Sequence, residues 1–396
     1  MQISHYNFNG KRALIRVDFN VPLDKNNFEI LDDTRIQAAL PTINHVLDQG
    51  GSVVLMSHLG RPKVGYEEKF SLKHLVNHLT KLLNQEVIFC PDSINDQAFE
   101  VTSKMTAGTV VLLENLRFYP HETQGDQSFA ESLSKHGDVY VNDAFGTAHR
   151  AHASTTIVAK YFPKDKMFGF LLEKEITNVN IVLNSKEKPI TAIVGGAKVS
   201  SKISIIERLI EKVDFLIIGG GMAYTFIKAE KGEIGSSLVE DDYLETALSI
   251  LEKAKKLNTK ICLPIDTVIA DTFSNDAQTK VCAINAIPSG WMGLDIGEDS
   301  CREFEQIIQQ SKTILWNGPM GVFEMENFQK GTVQIANSIV SATKIGAYSL
   351  IGGGDSVSAI NKFGLANEVS YVSTGGGAML EYLEGKTLPG IAAILN

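Results

Sequence analysis

The chain has 396 residues, 44% hydrophobic and 21% charged, which is enough for two or three domains with real apolar cores. A net charge of -9 excludes a general nucleic-acid surface, so any anion site must gather its basic residues locally. Cys90, Cys262, Cys282 and Cys301 form no C-x-x-C pair, which argues against a zinc site or a disulfide scaffold. The lack of a leader-like or membrane-length apolar run makes a cytoplasmic protein the expectation.

In the first half "RALIRV", "SVVLMS", "EVIFC", "TVVLLEN" and "DVYVN" read as strands. Between them "TRIQAALPTINHVLDQG", "SLKHLVNHLTKLLN" and "SFAESLSKHG" have helical spacing. A long helix is expected over 169–184, followed by the polar linker "NSKEKP". The second half alternates again, with strands in "ITAIVGG", "DFLIIGGG", "KICLPI", "TILWNGP", "YSLIGGGD" and "EVSYVSTGGG". Continuous apolar strands of this kind suit parallel sheets covered on both faces. The expected class is α/β, with two Rossmann-like domains, each a parallel sheet covered by helices. An interdomain helix at 169–184 joins residues 1–168 to residues 185–384 around a central cleft.

Strands in both halves run into charged or turn-forming residues at their carboxyl ends, where open α/β sheets bind ligands. The first half supplies Arg35 ("DDTRI"), His58 and Arg61 ("SHLGRP"), Arg117 ("ENLRF") and Arg150 ("GTAHR"). A lone loop arginine is usually solvated charge, but several that follow strands suit a small substrate with more than one negative charge. Asp18 and Asn20 ("RVDFN") add acceptors for hydroxyl groups, whereas His149 and His152 read as packing histidines. The second half supplies glycine-rich strand ends, whose amides approach phosphates closely. Lys198 and Lys202 lie one helical turn apart in "GGAKVSSK". Asp355 in "GGGDS" is the carboxylate expected to hold Mg²⁺, and Glu324 is the expected acceptor for ribose hydroxyls.

Other motifs fail. "EGKT" lacks the first glycine of a Walker A loop, because Leu380 stands there. The dinucleotide G-x-G-x-x-G fails at Tyr224, Val357 or Leu380. "DAFG" lacks the companion motifs of protein kinases.

Taken in order, "RVDFNVP", "DDTRI", "SHLGRP", "LLENLRF", "NDAFGTAHRAHAS", "GGAKVSSK", "NGPMGVFE", "GGGDSVSAI" and "STGGGAMLEYLEG" resemble the phosphoglycerate kinase family over nearly the whole chain. The resemblance implies Mg²⁺-dependent phosphoryl transfer between 1,3-bisphosphoglycerate and ADP, giving 3-phosphoglycerate and ATP, by a monomer that needs no nucleic acid or membrane. It implies that Asp18, Asn20, Arg35, His58, Arg61, Arg117 and Arg150 bind 3-phosphoglycerate on the N-terminal domain. Lys202, Asn317, Glu324 and Gly353, Gly354, Asp355 and Ser356 would bind the nucleotide, with Gly219, Gly220, Gly293 and Leu294 bordering adenine. Arg35, Lys198 and the amides of Gly375, Gly376 and Gly377 would meet the phosphoryl group in flight. The tail, about 385–396, would pack back on the N-terminal domain. The alternative weighed against this reading is an NAD-dependent dehydrogenase on a doubly wound fold.

Overall fold

The structure is a computed structural model that describes residues 2–63 and 65–396. Two compact units emerge, one running to Ile176 and including Thr387–Asn396, the other Thr177–Lys386.

In the first unit, strands β1 (Arg12–Val17), β2 (Ser52–Met56), β3 (Val87–Cys90), β4 (Val110–Leu113), β5 (Val139–Asp143) and β6 (Lys166–Phe168) form a six-stranded sheet ordered β3-β4-β2-β1-β5-β6. Every pairing is parallel. Side chains alternate across a strand, and β1 shows the consequence. Ala13, Ile15 and Val17 enter one core, with Val53, Leu55 and Val141. Leu14 enters the other, with Val54, Met56 and Tyr140. Arg16 shares the parity of Leu14, so the alternation buries a guanidinium completely. The helix Thr34–Asp48 turns Ile36, Ala39, Ile43 and Val46 into the first core, which leaves Arg35 partly exposed on its first turn.

Chain order reverses between β1 and β5, and the loops after β1, β2, β4 and β5 open at the same sheet edge. The C-terminal helix Pro389–Leu395 lies on this unit. The amide of Gly390 donates to the Ala148 carbonyl at 2.8 Å, and Asn142 Nδ2 donates to the Gly390 carbonyl at 3.2 Å.

The second unit has its own six-stranded parallel sheet, ordered Lys260–Cys262, Phe215–Ile218, Ile190–Val194, Thr313–Asn317, Tyr348–Ile351 and Tyr371–Val372. Trp316, Ile193, Ile217 and Ile314 are buried in its core with Phe304 and Ile339. The order reverses between Ile190–Val194 and Thr313–Asn317, so "VGGAK" and "WNGP" flank the switch point where ligands bind. One part was not expected from the sequence: an antiparallel sheet of Asp266–Ala270, Thr279–Ala283 and Met292–Ile296. Its outer strand is exposed along most of its length and has no buried apolar alternation to betray it.

The expected long helix spans Phe170–Leu183, and the division between units falls inside it. Its first turn is tied to the first unit. Leu172 N donates to Asp143 Oδ1 at 3.1 Å, and Phe170 N donates to Thr42 Oγ1 at 2.9 Å. Among the described residues no helix is long and apolar enough to cross a membrane.

Candidate active site

At the carboxyl edge of the first sheet, Arg35 Nη1 donates to Asp18 Oδ2. Asn20 does not stand free as an acceptor, because its Oδ1 takes the Gly60 amide at 2.8 Å. Arg117 Nη1 donates to the Gly60 carbonyl at 2.7 Å, so one glycine ties the loops after β1, β2 and β4 together. Gly60 has φ +62°, and a Cβ there would fall 2.3 Å from the Phe70 ring, so only glycine serves.

His58 is buried, 3.9 Å from Asp18 through Nδ1. Its pKa lies well below the ordinary range because burial disfavours the cation and Arg16, Arg117 and Arg35 repel it. His152, the expected packing histidine, is driven down to about 4 by burial and by Arg16, Arg117 and Arg150. Burial and Arg16 likewise lower the Arg117 pKa, and Arg61 also acts on it. These mutual repulsions mark one cationic cluster with two neutral imidazoles inside it. Arg61 and Arg150 are exposed, and among the described residues their side chains make no hydrogen bond or ion pair. Sequence reading missed Arg16, Glu122 and Ser154 beneath this cluster. A charged residue at an inward position of an otherwise apolar strand was the available signal for Arg16.

In the second unit, a cavity of about 470 Å³ is bordered by Gly220, Gly293, Leu294 and Glu324, with Tyr224 and Phe273 among its apolar walls. A neighbouring cavity of about 390 Å³ is bordered by Lys198, Lys202, Asn317 and Gly353 to Ser356. Asp355, Gly196 and Ala197 line both, so the two are continuous. Lys202 Nζ donates to Asn317 Oδ1, and Asn317 Nδ2 donates to the Gly352 carbonyl at 2.7 Å. Burial lowers the Lys202 pKa, with Asp355 and Glu384 opposing. Lys198 is exposed and, among the described residues, its side chain makes no hydrogen bond or ion pair.

Gly353 holds φ +91° as N-cap of the helix Gly354–Lys362, an arrangement that aims helix amides at an anion. Ser356 is buried, with its hydroxyl accepting from the Gly318 amide. Gly219 is buried against Met320 and lines neither cavity; Gly221 lines the larger one instead. Gly375, Gly376 and Gly377 follow the last sheet strand and also line neither cavity. Tyr224 and Phe273, which the sequence reading left out, close the larger cavity from a short helix and from the loop leading to the exposed strand Thr279–Ala283.

The model of the family described as phosphoglycerate kinase matches residues 3–386. A phosphoglycerate kinase of Porphyromonas gingivalis is 53% identical over all of both chains. A cytosolic one from Nicotiana tabacum is 52% identical over 97% of this chain and 95% of its own. The solved phosphoglycerate kinase of Coxiella burnetii superposes with a TM-score of 0.91 at 41% identity, covering 100% of this chain and 98% of that one. That of Pyrococcus horikoshii reaches 0.84 at 31% identity with the same coverage. Nothing among these relatives supports the dehydrogenase alternative. A sheet edge crowded with arginines and a glycine-walled double cavity with two lysines thus find their match over the full length, and the chain belongs to the phosphoglycerate kinase family.

Proposed function

We propose that the chain catalyses reversible, Mg²⁺-dependent phosphoryl transfer between 1,3-bisphosphoglycerate and ADP, giving 3-phosphoglycerate and ATP, as a cytoplasmic monomer. In this reading the first unit binds 3-phosphoglycerate through Arg35, Asp18, Asn20, His58, Arg61, Arg117 and Arg150. The second unit binds the nucleotide, with the base in the larger cavity and the phosphates between Lys202 and the Gly353–Ser356 turn. The observation that carries this reading is the continuity of an apolar-walled cavity with a lysine-lined one across Asp355, a shape that suits a nucleoside polyphosphate.

Asp355 suits Mg²⁺ in the way nucleotide-bound Mg²⁺ is usually held, by one or two carboxylates plus phosphate oxygens. Among the described residues no group of three or more acidic, histidine or cysteine side chains offers an all-protein cage. When bound, Mg²⁺ supplies charge neutralisation on the nucleotide phosphates.

The acceptor in the ATP-consuming direction is a carboxylate, ionised at neutral pH, so no general base is required. That agrees with an anion site whose imidazoles are neutral and whose one carboxylate is engaged by Arg35. Positioning and positive charge around the passing PO₃ group are what remain for the protein to provide. Arg35, Lys198 and the Gly375–Gly377 amides have that role in this reading.

Coupled assay of ATP-dependent phosphorylation of 3-phosphoglycerate, with and without Mg²⁺, tests it. Activity that requires all three components is expected. Turnover of NAD with no phosphoryl transfer would overturn it.

A further inference from the structure

Beneath the 3-phosphoglycerate residues runs a buried polar chain that the reaction as described leaves unused. Glu122, fully buried on the short helix Pro120–Gln124, accepts the Ser154 hydroxyl at 2.6 Å through Oε1 and the Ser154 amide at 2.9 Å through Oε2. Ser154 Oγ in turn accepts Arg16 Nε at 2.8 Å. Arg16, also fully buried, donates from Nη1 to the Val17 carbonyl and places Nη2 3.3 Å from His58 Nδ1. These links come from four separate stretches: Arg16 from β1, His58 from the loop just after β2, Glu122 from the segment after β4, and Ser154 from the turn Ala153–Ile157.

Donor and acceptor chemistry then decides the state of His58. A guanidinium has only donors, so His58 Nδ1 facing Arg16 Nη2 must be the acceptor, and the ring proton belongs on Nε2. Asp18 Oδ1, at 3.9 Å from the same nitrogen, is too far to compete for it by hydrogen bonding. Around the ring stand Arg16, Arg117, Arg35, His152 and Asp18, and the cations among them oppose a second ring proton. Nε2 makes no hydrogen bond among the described residues, which leaves its N–H for a ligand.

We propose that Glu122 and Ser154 are positioning residues. They hold the buried Arg16 guanidinium so that it fixes His58 as the neutral Nε2–H tautomer, presenting one hydrogen-bond donor to anionic 3-phosphoglycerate. Glu122 supplies the countercharge that lets a guanidinium be buried. Ser154 relays that countercharge and sets the direction of Nε. This proposal rests on the assignment of 3-phosphoglycerate to the first unit, so its test has one arm independent of that assignment.

The independent arm is ¹⁵N NMR of the histidine rings in the ligand-free full-length wild type. His58 is expected to show a protonated Nε2 and an unprotonated, hydrogen-bonded Nδ1 at pH 7. A protonated Nδ1, or a ring averaging both tautomers, overturns the proposal whatever the enzyme's activity.

The second arm is kinetic. Ser154→Ala removes the relay hydroxyl and should raise KM for 3-phosphoglycerate about tenfold, the scale of one hydrogen bond to a charged group. KM for ATP should stay within about twofold, as should kcat, because the contact acts equally on ground and transition states. The same variant should show mixed His58 tautomers. Glu122→Gln serves as the second variant should Ser154→Ala fail to fold, and is expected to mix the tautomers likewise. A fall in thermal stability with the His58 tautomer unchanged and both KM values unmoved means a merely structural role and overturns the proposal. Wild type that binds no 3-phosphoglycerate, yet shows the Nε2–H ring, overturns the functional reading alone.

Discussion

Lys198 and Lys202 stand one helical turn apart, and their surroundings differ. Lys202 is partly buried, bonded to Asn317, with burial lowering its pKa. The Lys198 side chain is exposed and, among the described residues, makes no hydrogen bond or ion pair. A lysine held in place before the ligand arrives suits ground-state binding, whereas a free one can follow charge as it develops. Lys198→Ala is therefore expected to lower kcat by about 10³-fold, the lower part of the range for a cation at a transferring phosphoryl group. ADP affinity should change by less than about threefold, since that cation acts in the transition state. Lys202→Ala should instead weaken ADP binding by about tenfold or more, the loss of one charge-assisted hydrogen bond. Titration calorimetry with ADP and steady-state kinetics on both variants check the pair, and equal kcat for Lys198→Ala and wild type would remove Lys198 from the transition state.

The glycine turns and strand ends are the elements that carry these side chains, and most were legible in the sequence. Continuous apolar runs such as "ITAIV" and "TILW" are a strong signal for buried parallel strands, and their polar carboxyl ends pointed to the ligand edge. Other parts left no such mark. The exposed strand Thr279–Ala283 has no alternation to read, and Tyr224 and Phe273 meet Gly293 only through the antiparallel sheet. Glu122 and Ser154 lie 32 residues apart and come together only when the loops after β4 and β5 fold over the sheet. At the element level Gly353 makes the sharpest test. It holds φ +91°, and a Cβ would stand 2.2 Å from Asn317 Nδ2, the residue that holds Lys202. Gly353→Ala adds backbone strain of about 1–3 kcal/mol and must displace Asn317. ADP affinity should fall by about tenfold or more by this strain estimate, with 3-phosphoglycerate binding unchanged. Calorimetry with each ligand separately decides, and unaltered ADP binding would show that the turn is not part of the phosphate site.

Across the whole molecule, buried titratable groups give the stability a pH dependence of opposite sign in different places. Asp295, beneath the larger cavity of the second unit, accepts Gly331 N at 2.8 Å and Ile296 N at 2.9 Å, yet burial pushes its pKa up to about 7. Between pH 4 and 7 the unfolded chain has released this proton while the folded one retains it. Its contribution is therefore complete below about pH 4 and declines until pH 7. Asp143, in the first unit at the start of the helix Phe170–Leu183, is raised to about 6 by burial and behaves the same way over a narrower window. His136 has the opposite sign. It is buried between the Thr102 hydroxyl and the Ser93 carbonyl, and its pKa is lowered to about 4. Its contribution is present above pH 6.5 and declines as the pH falls towards 4. The two tryptophans, Trp291 and Trp316, both lie in the second unit, so urea unfolding followed by tryptophan fluorescence reports the unit that holds Asp295. Asp295→Asn cannot ionise, and its stability relative to wild type should improve with pH between 4 and 7, by at most about 1.4 kcal/mol per pH unit, then level off. The slope is the diagnostic quantity, because the amide also loses one acceptor and shifts every point by the same amount. A wild-type-to-variant difference that stays constant from pH 5 to pH 8 would mean that Asp295 is already ionised at pH 5, with its two amide donors outweighing the cost of its burial.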